Sequence, residues 1–352
     1  MTNRFGKASA MLHSKNWSKL LFSVLLLLAA CGSSGPAGPS GAAGSSGPAA
    51  TQVSFRLDFL AAGYDAPFVV ALQKGFYAQR GLDVTIAEGS GSAITAQRVA
   101  EGADTFGYVD LATAMQLVGK GAPIKAVAVI VQRSPLAIIS LANSGITRPS
   151  DLKGKTIGQV AGGANAALLP VFLSTTGVPL SSVHRVNIPG NVLLQALVAK
   201  RIDAMVGITN FHVPLLQLML KARVKLLSLT SYGVNVLSFS LITNDRLISE
   251  HPDEVRNFVA ASLQGWSYAA SHRSQSITAL LKMFPKLNRA VATAQLNATL
   301  GLLHTPRTVG KPTGVADVQD ILGTEKLLVK AGLLAKTTGD ASRYVDPQFA
   351  NR

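Results

Sequence analysis

Two acid–tyrosine pairs stand out in the first third of the chain: Tyr64-Asp65 and Tyr108-Val109-Asp110. Each acid comes just before a stretch of helical character, so each either caps that helix or accepts a hydrogen bond from a bound molecule. Between them lies Glu88-Gly-Ser90-Gly91-Ser92. Ser90 and Ser92 offer hydroxyls there, and Gly91, which lacks a Cβ, lets another molecule approach the backbone. Three later segments open helices: Ala161-Gly-Gly163-Ala-Asn165, Pro189-Gly-Asn191 and Thr209-Asn210-Phe211. The first N–H groups of a helix have no intrahelical acceptor, so Gly163, Asn165, Asn191 and Asn210 are candidates for polar contacts. Tyr108, Phe211 and Tyr232 are aromatic rings that either stack on a planar group or pack internally. These residue types can hold a molecule through hydrogen bonds and ring stacking.

Other chemistries lack their residues. The six histidines (His13, His184, His212, His251, His272, His304) show no metal-type spacing, and Cys31 is the only cysteine. An intramolecular disulfide and a multi-cysteine zinc or iron–sulfur site are thereby excluded. There is no dinucleotide fingerprint, no Walker-type loop and no nucleophile elbow. The expectation is no catalysis, no cofactor and no metal. The net charge of +15 would suit anionic partners, but the basic residues are scattered, so no nucleic-acid surface is expected.

The elements that position these residues alternate. Val53–Phe59 has period-two polarity and reads as a strand; Pro67–Arg80 reads as a helix stopped by Gly81. Strand-like and helical stretches then alternate as far as Leu136–Leu141, and the alternation restarts after Asn143-Ser-Gly145. A β-like run at 236–243 is followed by an almost wholly helical tail. This pattern calls for mixed sheets with helices on both faces. It divides into 52–143 with 238–335 as one lobe, 144–237 as a second, and 336–352 as a tail. Crossings between lobes are expected near 141–147 and 233–240. Ligands of open α/β sheets bind outside the carboxyl ends of the strands.

The first thirty residues read as an export signal. Arg4, Lys7, Lys15 and Lys19 precede the apolar run Leu20–Ala30, which is too short to span a bilayer. Leu28-Ala-Ala-Cys31 resembles a bacterial lipobox, which makes Cys31 the expected lipidation site. From Gly32 to Ala50 every residue is Gly, Ser, Pro or Ala, a composition with nothing to bury. As a flexible tether this linker, 31–51 with its flanks, would reach roughly 25 Å.

Gly63-Tyr-Asp-Ala-Pro-Phe, Lys74-Gly-Phe-Tyr77 and Gly81-Leu-Asp-Val84 together resemble the opening signature of a family of ABC-importer solute-binding proteins. Members of that family serve sulfonates, nitrate, taurine and thiamine pyrimidine precursors. Phe106-Gly-Tyr-Val-Asp110, Pro149-Ser-Asp-Leu-Lys-Gly-Lys-Thr-Ile-Gly158, Gly233-Val-Asn-Val236 and Glu250–Phe258 match further segments in the same order. The resemblance covers about 53–270. It implies a two-lobed type II periplasmic-binding-protein fold, each lobe a mixed sheet flanked by helices. It also implies a small-molecule ligand, a permease with its ATPase as partners, and a monomer outside the cytoplasm on a lipid anchor. The same fold serves sensor input modules. A pyrimidine-forming branch is enzymatic, but it uses a cysteine-rich iron motif, which is missing here. Ser231 stands where many relatives carry an acid, so no member's ligand carries over. The candidate loops hold Asp65 and Asp110 but no Arg or Lys, which favours a planar nitrogen compound over an anion.

Overall fold

The computed structural model describes residues 50–160 and 164–351; Cys31, the signal and linker segments before 50, and Gly163 lie outside the described residues. In β1 (Thr51–Arg56) Val53 and Phe55 are the buried side chains, as period-two polarity requires. The strand stops at Arg56, short of the expected Phe59, and 57–59 bond to the loop beyond the next strand. Leu57 N–H donates to Ala87 O, Gly89 N–H to Phe59 O and Gly91 N–H to Asp58 O. Helix α1 (Ala66–Gln73) is shorter than expected because Gly75 takes a φ of 72°, which breaks the helix before a separate turn at 78–80. The chain continues through β2 (Leu82–Ala87), α2 (Ser92–Ala100), β3 (Phe106–Asp110), α3 (Leu111–Gly119) and β4 (Ile124–Val129).

The second lobe contains β5 (Leu136–Leu141), β6 (Thr156–Gln159), α4 (Ala164–Thr175), β7 (His184–Asn187), α5 (Gly190–Val198), β8 (Ala204–Ile208), α6 (Thr209–Pro214) and β9 (Val224–Ser228). Pro214 has no N–H to continue the α-helical ladder, and the chain widens into a π turn over Leu215–Met219. The chain then returns through β10 (Phe239–Asn244), followed by α7 (Asp245–Glu250), α8 (Pro252–Ser271), α9 (Arg273–Met283), α10 (Arg289–Leu300) and α11 (Val318–Lys330).

Strand order is β2-β1-β3-β10-β4 in one sheet and β7-β6-β8-β5-β9 in the other. In each, the strand that arrives from the other lobe runs antiparallel to its neighbours: β10 between β3 and β4, β5 between β8 and β9. This corrects the expected boundary. Leu136–Leu141 belongs to the second sheet, so the first crossing is 130–135, not 141–147. Apolar runs such as β4 and β5 look alike in sequence whichever sheet they join, and Asn143-Ser-Gly145 is a turn inside the second lobe. The return crossing is 233–238, within the expected range.

Both crossings are tied together. The Asn235 side chain accepts from Ser134 N–H at 2.8 Å and from Thr230 Oγ1 at 3.2 Å, and donates to Gln132 O at 3.3 Å. The chain from Pro48 onward is one compact unit, and two helices touch both lobes. On α11, Ile321 and Leu328 join the first-lobe cluster of Leu111 and Met115, while Leu327 packs against the second-lobe core. The segment expected as a separate tail is part of the first lobe: Val345 pairs in parallel beside Ala126, and Phe349 is buried.

Candidate ligand site

The loop leaving β1 carries the first group of polar side chains. Asp65 lies at the start of α1 yet does not cap it. One carboxylate oxygen accepts from Ala62 N–H at 2.8 Å, and the other is buried without a partner. Asp58, which the sequence reading passed over as a strand residue, also has a buried oxygen without a partner. Burial, then Asp110, pushes the Asp58 carboxyl up to about 7. Burial, then Asp58, holds the Asp65 carboxyl well above the usual carboxylate range. The arginine nearest in sequence, Arg56, is committed to Asp104 at 2.6 Å, as is Arg98 at 2.5 Å. A buried acid without a cation keeps its proton.

Asp110 has a different position. It caps α3 by accepting from Thr113 N–H at 3.2 Å, and its other oxygen accepts from Ser238 Oγ at 3.1 Å. Both oxygens are occupied, so of the two alternatives it is the cap. Ser92 is likewise spent internally, accepting from Asp110 N–H at 3.1 Å. Gly91 sits at φ 120°, a conformation only glycine adopts freely, and its N–H donates to Asp58 O at 2.6 Å. Ser90 is exposed and Glu88 accepts from Ala61 N–H at 2.8 Å. The Gly-Ser loop thus fastens the Asp58 segment to β3.

Aromatic rings form the floor. Phe239 is stacked between Tyr64 (5.7 Å) and Tyr108 (5.2 Å), and Phe68 meets Tyr108 edge-on at 4.9 Å. The Tyr108 ring is therefore packed, but its hydroxyl is buried and unpartnered. Burial, followed by the charges of Asp65 and Asp58, pushes that phenol well up.

The second lobe arrives through α6. Phe211 approaches Tyr64 at 6.5 Å, and Asn210 Nδ2 donates to Thr299 Oγ1 of α10 at 2.9 Å while its oxygen stays unpartnered. Gln295, one turn earlier on α10, accepts from Gly63 N–H at 2.8 Å and donates to Phe211 O at 3.4 Å. Helix α10 thus bonds to the Tyr64-Asp65 loop and to α6 together. A Cβ on Gly63 would lie 1.9 Å from Ala292 O, so α10 sits against this loop only because residue 63 is glycine. Gln295 was not among the sequence candidates; a lone glutamine on a helical tail gives no signal. His212 beside Phe211 is neutral: burial lowers it to about 4, and Ile208 N–H donates to its Nδ1 at 2.8 Å.

The contacts just described do not include the remaining candidates. Tyr232 packs edge-on against Phe172 in the second-lobe core at 5.5 Å. Asn191 is exposed on the first turn of α5, and Asn165 is half-buried on α4. A better marker of that end of the lobe is Gln159, which closes β6, donates to Asn187 at 3.1 Å and leaves a buried oxygen unpartnered. Tyr64, Asp65, Tyr108, Asn210 and Phe211 are brought together, with Asp58 and Gln295 added. Among the described residues no group of three His, Cys, Asp or Glu is placed to hold a metal ion.

The profile described as "NMT1/THI5 like" matches residues 63–276. The chain belongs to the NMT1/THI5-like family. Among its relatives is the 4-amino-5-hydroxymethyl-2-methylpyrimidine phosphate synthase of Legionella pneumophila, 24% identical over 239 residues, 67% of this chain and 75% of the synthase. The riboflavin-binding protein RibY of Chloroflexus aurantiacus is 24% identical over 325 residues, 89% and 91% of the two chains. Among solved structures, the periplasmic aliphatic sulphonate binding protein SsuA of Escherichia coli superposes with a TM-score of 0.69 at 16% identity, covering 86% and 94%. At that identity the likeness shows the fold: this NMT1/THI5-like chain has the two-lobed type II periplasmic-binding-protein architecture that its sequence signature implied.

Proposed function

We propose that the chain is the exported solute-binding lipoprotein of an ABC importer, which captures a small planar nitrogen compound between its lobes and delivers it to the permease. The observation that carries this reading is the seam at α10. There a Tyr64-Phe211 aromatic contact joins the lobes, and buried oxygens of Asp58, Asp65 and Asn210 have no hydrogen-bond partner among the described residues. Buried acceptors are normally satisfied, and a molecule bearing N–H groups supplies what these lack. The fold, shared with a sulphonate binding protein and, by sequence, a riboflavin-binding one, supports binding over catalysis. Closure follows when a ligand binds the closed arrangement more tightly than the open one. In this reading Cys31 carries the lipid, 32–50 is the tether, and the crossings at 130–135 and 233–238 are the hinges.

Thermal-shift screening of aminopyrimidines, flavins, sulfonates and nitrate tests the ligand class, because ligands that bind the folded state raise the melting temperature by mass action. Stabilisation by sulfonate or nitrate alone would overturn the nitrogen reading. Cys31→Ser should release the protein from membrane fractions, and unchanged retention would remove the lipoprotein assignment.

A further inference from the structure

We infer that the Asp58–Asp65 pair receives a positively charged nitrogen group of the ligand, and that binding it expels a proton. This rests on the solute-binding reading and adds the charge state of the ligand to it.

The geometry carries the argument. Asp58 and Asp65 each present one buried oxygen with no partner, and the Tyr108 hydroxyl is also buried and unpartnered, on a ring that shares Phe239 with Tyr64 of the acid-bearing loop. Tyr108 is an independent witness, since it is not an acid and its ring needs no opening for packing. The third acid, Asp110, is already held by Thr113 and Ser238. The other titratable groups whose charge acts on the pair are Tyr64 from the same loop and Glu88 from the loop after β2. These groups are phenols and acids, and α10 and α6 contribute Gln295, Phe211 and the neutral His212. The acids do not converge as a metal site.

Two neighbouring buried carboxyls without a cation cannot both be ionised at moderate cost, so the free site retains at least one proton. A cationic group placed between them restores the favourable pairing and drives that proton to solvent. An anion meets the opposite situation: it can accept only from protonated carboxyls, so it would hold the protons in place or draw in another rather than expel one. A neutral amide or amine satisfies the oxygens as a donor but leaves the proton in place. The three cases are distinguished by proton stoichiometry, not by shape.

Calorimetric titration of the full chain with benzamidine, benzamide and benzenesulfonate compares cation, neutral molecule and anion on one ring, with 4-aminopyrimidine as a fourth probe. The expected result is benzamidine binding at least about tenfold tighter than benzamide near pH 8, and weakening by up to about tenfold per pH unit below pH 7. Titration in two buffers of different ionisation enthalpy should show about one proton released per benzamidine near pH 6. Asp58→Asn and Asp65→Asn, which preserve shape, should each lower benzamidine affinity, and the double variant should abolish the proton release. Benzamidine that fails to bind, binds no tighter than benzamide, or binds without pH dependence overturns the inference. If that happens while 4-aminopyrimidine binds, the nitrogen-compound reading survives alone. If only benzenesulfonate binds, both fall.

Discussion

Gln295 joins two lobes with one side chain: its oxygen accepts from Gly63 N–H at 2.8 Å and its nitrogen donates to Phe211 O at 3.4 Å. Gly63 stands two residues before Asp65, and Phe211 is the second-lobe ring that meets Tyr64. The carboxamide thus spans the seam in which the unpartnered acceptors lie, and it couples the position of α6 to that of the acid-bearing loop.

Gln295→Met keeps the length of the side chain and removes both bonds. The free protein should then populate a more open form, seen as a larger radius of gyration in small-angle scattering. Global stability should fall by about 1–3 kcal/mol, because Gly63 N–H and Phe211 O lose their partner in a buried setting. An unchanged radius would show that the bonds are incidental to closure.

Gly63→Ala acts on the same contact by steric means. With Ala292 O only 1.9 Å from the added carbon, α10 or the loop has to move. Overpacking of this kind costs about 1–3 kcal/mol, measurable as a lower denaturation midpoint. A variant as stable as the parent would mean that α10 yields without penalty.

Asp58 gives stability a distinctive pH dependence. Its carboxyl is raised to about 7 in the folded protein by burial and then Asp110, so between about pH 4 and 7 the native state holds a proton that the unfolded chain has lost. This contribution is complete below the unfolded value and disappears as pH rises through about 7. Asp58→Asn should flatten that decline and leave the variant about 2–4 kcal/mol more stable than the parent near pH 8. Urea denaturation at several pH values reads the difference; parallel curves would contradict the buried-acid assignment.

His212 works in the opposite direction. Burial depresses it to about 4, so between about pH 6.5 and 4 the unfolded chain binds a proton that the native state does not, and stability falls as pH drops through that window. Imidazole chemical shifts should stay constant down to about pH 5. A midpoint near 6.5 would show that the ring is solvated and that Nδ1 does not accept from Ile208 N–H.

The alternation of strands and helices was readable because period-two and helical polarity survive in single elements, as in β1 and α8. What escaped was everything set by distance in sequence. No local pattern tells that Leu136–Leu141 pairs with β8 and β9, since an apolar run fits either sheet. Asp110 and Asp65 looked alike, each an acid before a helix, and only the fold shows that one is a cap and the other is not. Asp58 was hidden because three more residues of alternation, 57–59, made it look like strand interior. Gln295 lies 232 positions from Gly63, a separation over which a sequence motif has no meaning. The aromatic candidates divided for the same reason: Tyr108 and Tyr232 are ordinary rings until Phe239 and Phe172 are known to cover them.

Asn235, which fastens Gln132 and Ser134 to the return crossing, determines what kind of joint the molecule has. Two ribbons clamped side by side at one point resist torsion, because twisting either drags the other, but they still bend together. In the proposed closure the joint would therefore have one soft axis, like a leaf spring, with displacement growing with distance from the clamp. Side chains beside the crossings would then barely travel while the outer rims swept the longest arc. Cutting the clamp with Asn235→Ala would free a second, torsional degree of freedom without altering any atom that faces the acid pair.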